Sequence, residues 1–313
     1  MFINMKTKDD FIQALSTIIV ISVMIGVSEI LGEKEIIFPE VTALAVGMFL
    51  APAMPWKTSY TRMLITITVC AVLGVTIVLF VPTSLWLQMS LAYFVGQIVL
   101  MLSKTSFAPM ISAIVLPVMM QTKEVVYIIA AIALTTLIIV IKVILDRTKI
   151  KNKEVYIKKE WPDKREIIKF LLRSIIVMAL IYIAIKIDKR FCVAPPLLVA
   201  FTELTNENSK ARNMPVKVIV TISLCASIGA IMRYVFVIHL GCVLTIAAVV
   251  AGVCMIVVVK TIKLYLPPAG AMTILAMLIP KESVIFYPLQ VFVGITVLFL
   301  IARFCFGKEK KII

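Results

Sequence analysis

"VGQIVLMLSKTSFAP" (residues 95–109) and "AGVCMIVVVKTIKLYLPP" (residues 251–268) share one grammar: an apolar helix closing on Lys-Thr, then proline and a short apolar run. Gly96 falls on Gly252, Lys104 on Lys260 and Thr105 on Thr261, all at an offset of 156 (252−96, 260−104, 261−105). A duplicated polar element at the end of an apolar helix marks where function is to be sought in a repeated membrane fold.

Working outward, 62% of the residues are apolar and the mean hydropathy is +1.08, so the chain cannot form an ordinary soluble core. Long continuous runs cover residues 11–32, 60–81, 84–103, 124–146, 167–188, 214–237, 239–261 and 284–306. A helix rising 1.5 Å per residue needs about 20 residues to cross a hydrocarbon core of about 30 Å, which each run approaches or exceeds. A β-barrel would instead alternate polar and apolar residues over segments of about ten. The runs predict helices, and the first is read as a retained span because no small-residue cleavage site follows it.

Four shorter segments, 38–53, 107–121, 191–204 and 266–279, carry prolines near their starts: Pro39, Pro109, Pro195 with Pro196, and Pro267 with Pro268. The order long, short, long, long, short, long occurs twice. Thr66, Cys70 and Gly74 match Thr221, Cys225 and Gly229 at 155 (221−66, 225−70, 229−74), and Lys123-Glu124 matches Lys281-Glu282 at 158 (281−123, 282−124). The expected fold is therefore all-α, a polytopic transmembrane bundle of two parallel six-segment repeats with short proline-led helices. The repeats are residues 1–146 and 167–313, joined by a basic cytoplasmic linker at 147–166 that holds Arg147, Lys149, Lys151, Lys153, Lys158, Lys159, Lys164 and Arg165.

If all twelve segments cross from an inside N-terminus, the outer side receives only Lys34, Lys123, Lys186, Lys189, Arg190, Arg233 and Lys281, leaving 25 of the 32 Lys and Arg inside (32−7). That bias predicts cytoplasmic termini and linker, in an integral protein of a bacterial cytoplasmic membrane. The net charge of +15 is thereby topogenic and does not indicate nucleic acid, since no base-stacking aromatics are interleaved with the basic residues. The six cysteines lack metal-ligand spacing and read as packing residues. His239 borders a short loop, and one histidine makes no metal site. No phosphate-binding loop, dinucleotide fingerprint or catalytic triad spacing is present, so neither an enzyme nor a cofactor is expected.

Proline suits a first helical turn, where its missing N–H had no partner, so the short helices are expected to begin at or near membrane depth. Their exposed N–H groups, with Lys104 and Lys260, would favour an anion or polar solute, while Gly270 in "PPAGA" would let another backbone come close. The plainer reading has short tilted helices packed by small residues and both lysines extended to the interface. An embedded carboxylate is costly, which singles out Glu40 as a coupling candidate and Glu203 more weakly; Glu29 reads as interfacial. The substrate-binding set expected is Lys104, Thr105, Pro109 and Ser112 with Lys260, Thr261, Pro267, Pro268, Gly270 and Thr273.

"VKTIKLYLPPAGAMTILAML" (259–278) resembles the HPP family of integral membrane proteins, named for a His-Pro-Pro triplet followed by Ala-Gly-Ala. The likeness covers about residues 195–306, with "PPLLVAFTE" resembling the family's opening proline-led segment and "NMPVKVIVTISLCASIGA" its following helix. It singles out Lys260, Thr261, Pro267, Pro268, Ala269, Gly270 and Ala271, and departs at Leu266, where the family has histidine. Some relatives of that family are associated with nitrite transport, so the resemblance implies a small-anion permease. "PEVTALAVGMFLAPAMPWKTSYTR" (39–62) is similar to exporters of the fusaric-acid-resistance type, which implies an aromatic-acid exporter.

The expected function is a secondary transporter or permease for a small anion or polar solute. Its site would lie where residues 109–112 and 267–273 face each other. The alternative is a non-transporting sensor or assembly subunit that docks a partner through the basic linker. The lipid bilayer is the other expected partner, and assembly into a homo-oligomer is left open.

Overall fold

The computed structural model describes residues 8–151, 161–206 and 209–307. Lys153, Lys158 and Lys159 of the linker lie outside the described residues. All regular structure among the described residues is helical. Eight helices are long and apolar enough to cross a membrane: α1 (Lys8–Leu31), α3 (Tyr60–Phe80), α4 (Leu85–Leu102), α6 (Val125–Arg147), α7 (Lys164–Lys186), α9 (Pro215–Met232), α10 (Leu244–Ile262) and α12 (Tyr287–Cys305). The chain is thus a helical integral membrane protein.

The long helices end within a few residues of the expected boundaries, with one difference of substance. The run expected over 214–237 is α-helical only to Met232 and continues as a π-helical stretch, Arg233–His239, while α10, expected from 239, starts only at Leu244. Gly241, at φ 68°, makes the turn between them; a side chain would strain that left-handed conformation.

The four proline-led segments form α2 (Glu40–Ala45, prolonged by the π-helical Val46–Leu50), α5 (Pro109–Met120), α8 (Pro195–Leu204) and α11 (Pro267–Leu278). Twelve residues at about 1.5 Å each give α5 and α11 a length of about 18 Å, short of the hydrocarbon thickness. Such helices need protein around them, because lipid offers nothing to their unpaired end groups. The burial pattern agrees. Every residue of α2 is buried, as are all of α5 except Met120, all of α8 except Glu203 and all of α11 except Leu278.

The short helices close a ring at the centre: α2 packs on α11, α11 on α8, α8 on α5 and α5 on α2. The long ones surround it. Helix α5 lies against α3 and α4, and α11 against α9 and α10; α6 backs α3, α12 backs α9, α1 lies along α10 and α4 along α7. Helix α1 shows how a long helix divides its surface. Phe11, Leu15, Ile19 and Val23 recur every fourth residue on the exposed side, while Val20, Ile21, Met24 and Ile25 are sealed in the core.

Glycine sets the distance between the ring and its surround. A Cβ at Gly229 of α9 would sit 2.1 Å from the Thr273 carbonyl oxygen of α11, and one at Gly74 of α3 would sit 2.6 Å from the Ile114 carbonyl oxygen of α5. No side chain fits there, so α3 and α9 approach the short helices backbone to backbone.

Cationic side chains complete the ends of these helices. The last carbonyls of a helix have no partner within it and carry partial negative charge. Arg212, buried, donates from Nε to the Leu204 carbonyl (2.7 Å) and from Nη2 to that of Asn206 (2.6 Å), and it also reaches the Phe306 carbonyl at the end of α12. Lys151 donates to the Ala51 carbonyl just past α2's π-helical end (2.5 Å), and Arg233 donates from Nη1 to the carbonyls of Ala276 (2.6 Å) and Ile279 (2.5 Å) of α11.

Candidate functional site

Glu40 opens α2 directly after Pro39 and is 1% exposed. One carboxylate oxygen accepts a hydrogen bond from the Ser112 hydroxyl, in the first turn of α5. The other oxygen, Oε2, is buried without a partner, and so is the Thr42 hydroxyl two residues on. The first turn of α11 closes on the same stretch of α2: a Cβ at Gly270 would lie 2.9 Å from the Thr42 carbonyl oxygen and 2.9 Å from Val46 Cγ2. Helix α5 thus meets the half-satisfied carboxyl group, and α11 meets the backbone of α2 two residues beyond it.

A cavity of about 670 Å³ opens at the far ends of α5 and α11. Leu116 and Met120 of α5, Met277 and Leu278 of α11, and Val237 form its apolar side, while Arg233 and Tyr127 line it too. Tyr127 lines the cavity and reaches from it to the residues flanking Ser112 and Glu40. Its ring packs edge-on against Phe38, with centroids 5.7 Å apart, and its hydroxyl donates to the Ala113 carbonyl (2.9 Å), one residue past Ser112. Ile37 lies on the cavity wall as well, three residues before Glu40.

Of the residues singled out from the sequence, Glu40, Ser112 and Gly270 come together around the start of α2. Pro109, Pro267 and Pro268 occupy buried first turns, as the proline rule requires. Thr273 is fully buried and bonds the Ala269 carbonyl of its own helix (3.1 Å). Thr105 is buried in the connection before α5, where its hydroxyl accepts from Phe107 N (3.4 Å) and shares a hydrogen bond with Ser103 (2.9 Å). Thr261 is exposed. Helices α5 and α11 do not pack chiefly on each other: within the ring α5 lies on α8 and α11 on α2, and outside it they lie on α3 and α9.

The two lysines are both engaged. Lys104 sits 3.7 Å above the ring of Trp161, and Lys260 forms an ion pair with Asp10 (2.9 Å). Each thereby ties the end of α4 or α10 to the chain at the start of α7 or α1. Glu203, at the end of α8, accepts from the Trp56 indole N–H (2.8 Å).

Sequence reasoning placed Arg233 among outer loop charges, and it passed over Tyr127, Arg173 and Lys142. A cation or tyrosine inside an apolar run was the available signal. Arg173 donates to Gln97 (2.9 Å), which donates to Thr202 (2.9 Å), itself paired with the Tyr93 hydroxyl (3.0 Å). Lys142 pairs with Asp146 (2.5 Å), which also accepts from Tyr60 (2.7 Å).

Compared with known proteins, the chain matches no family model, no curated protein and no solved structure. The site itself has to carry the functional argument.

Proposed function

We propose that the chain is a secondary transporter or permease for a small anion or polar solute, coupled to protons through Glu40. The observation that carries this reading is a carboxyl group sealed at the head of a short central helix and bonded through one oxygen only. An embedded acid is expensive to keep and is expected to face a pathway. Lys104 and Lys260, with intramolecular partners of their own, serve as helix anchors in this reading, and the solute meets the Glu40–Ser112 pair instead.

Parallels in packing between the two parts of the chain support it. The pairings α3 on α5, α3 on α6 and α4 on α5 have counterparts in α9 on α11, α9 on α12 and α10 on α11. Tyr127 bonding Ala113 corresponds to Tyr287 bonding Met272 (2.7 Å), and the Phe38–Tyr127 ring pair to Phe191–Tyr287 (5.6 Å). Two parallel repeats would place the ring of short helices on their shared axis, where repeat-built transporters hold their solute. With both termini cytoplasmic, as the charge bias predicts, the cavity beside Arg233 and Lys281 opens outward. The HPP resemblance makes nitrite the first solute to try.

The test is reconstitution into liposomes loaded with a pH-sensitive dye, with nitrite and nitrate offered under an imposed proton gradient. Wild-type protein should move anion and protons together, and Glu40→Gln should abolish the proton movement while remaining folded. Absence of any protein-dependent flux, or coupled flux unchanged in Glu40→Gln, would reject the reading.

A further inference from the structure

Arg233 is a buried cation with only part of its donor set in use. It is 7% exposed and stands at the start of the π-helical stretch, a distortion that often marks functional positions. Nη1 is consumed by the carbonyls of Ala276 and Ile279, while the buried Nε has no partner. No carboxylate among the described residues lies within ion-pair distance of it. Capping α11 therefore explains one nitrogen of the guanidinium and leaves unexplained the edge formed by Nε and Nη2. That edge is one of the two geometries in which arginine grips a planar carboxylate through two parallel hydrogen bonds.

The charged residues around it leave the open edge of Arg233 as the feature that selects an anion. Glu29, Glu35 and Glu282 share the cavity with Lys34, Lys281 and Arg233. Glu29, however, is committed to the start of α10, where it accepts from Leu244 N (2.5 Å), Thr245 N (2.8 Å) and the Thr245 hydroxyl (2.5 Å). Its charge is met by those donors and by the positive helix end. The lining thus holds three cations and three acids, and among them Arg233 is the one with a buried donor left unpartnered. Leu116, Met120, Val237, Met277 and Leu278 supply apolar lining to the same cavity.

We infer that the cavity is a binding site for a small organic acid, whose carboxylate docks on the Nε–Nη2 edge of Arg233 and whose apolar body lies against the ends of α5 and α11. This deepens the transporter reading by naming a solute class and its first docking residue, and it rests on that reading only for the cavity's place on the route. Glu282 lines the same cavity as Arg233, and its negative charge opposes the entry of an anion.

The test is equilibrium binding of radiolabelled hexanoate to the full chain in nanodiscs, corrected with empty nanodiscs, with hexanol and inorganic phosphate as controls. Saturable binding of hexanoate but of neither control is expected. Arg233→Lys, which keeps a charge and can still donate to the α11 carbonyls, should weaken it by about tenfold, the loss for a charged hydrogen bond. Glu282→Gln should tighten it. Lys260→Gln, at a helix anchor outside the cavity, should bind as the wild type does; binding is read without flux, so failure of proton coupling and failure of this site are distinguished. Equal affinity in Arg233→Lys, stronger binding of phosphate than of hexanoate, or no saturable binding would overturn the inference.

Discussion

Two tyrosines, each near the start of a long helix, donate to a carbonyl inside the short helix before it, yet they should not be equally important. Tyr127 donates to the carbonyl of Ala113, whose usual partner in an α-helix is the N–H four residues on. That residue is Pro117, which has none. In the second case, Tyr287 donates to the carbonyl of Met272, and the residue four on is Ala276, which keeps its N–H. Tyr127→Phe thus leaves a buried carbonyl with no donor, at a cost of about 1–3 kcal/mol, whereas Tyr287→Phe removes a supplementary bond worth about 0.5–1.5 kcal/mol. The ring stays in both variants, so the edge-on contacts with Phe38 and Phe191 survive and packing cancels in the comparison. Unfolding by SDS in mixed micelles, followed by tryptophan fluorescence with the buried Trp56 as reporter and extrapolated at constant slope, measures the difference. Tyr127→Phe should be the less stable by about 1 kcal/mol. Equal losses, or a larger loss at Tyr287, would refute the assignment of the hydroxyl to a proline-orphaned carbonyl.

Gly229→Ala would press a methyl onto the Thr273 carbonyl at 2.1 Å, and since backbone cannot yield as a side chain end does, it should cost about 3 kcal/mol or more in the same unfolding assay. Gly252→Ala, whose nearest neighbour at 2.8 Å is the movable tip of Ile21, should cost less. Arg212→Ala strips the donors from three carbonyls at the ends of α8 and α12 and should lower stability by about 3 kcal/mol or more, with Arg212→Lys recovering part of it. Lys260→Gln breaks an ion pair whose acid, Asp10, is one-third exposed, so less than about 1 kcal/mol should be lost and anion flux in liposomes should not change. Lys104→Gln gives up its stacking on the exposed Trp161, at about 0.5–1 kcal/mol, and should likewise leave flux unchanged.

Proline and unbroken apolar length made the helices readable. Pro109, Pro195 and Pro267 sit on the first residues of three short helices, and Pro39 stands one residue before α2, because φ near −65° and a missing N–H suit that position alone. Glu40 and Ser112 could each be suspected, the first for its charge inside an apolar segment and the second for its place next to Pro109. Their meeting could not be foreseen, since they are separated by 72 residues (112−40) and belong to different helices. Arg233 shows the limit most plainly. Counting basic residues by side treats it as a loop charge, and only the π-helical continuation of α9 carries it over the end of α11.

Composition and run length by themselves fixed an all-helical membrane protein with eight long and four short segments, because transferring about 20 apolar residues into hydrocarbon is decided by the segment alone. Which side of each helix faces lipid was decided only in three dimensions. Both sides of α1 are apolar, so Phe11 in lipid and Val20 in the core look alike to any hydrophobic pattern. The ring of short helices, the half-satisfied Glu40 and the open edge of Arg233 exist only through contacts between distant parts of the chain, where carbonyl positions and close backbone approach, and not hydrophobicity, determine what fits.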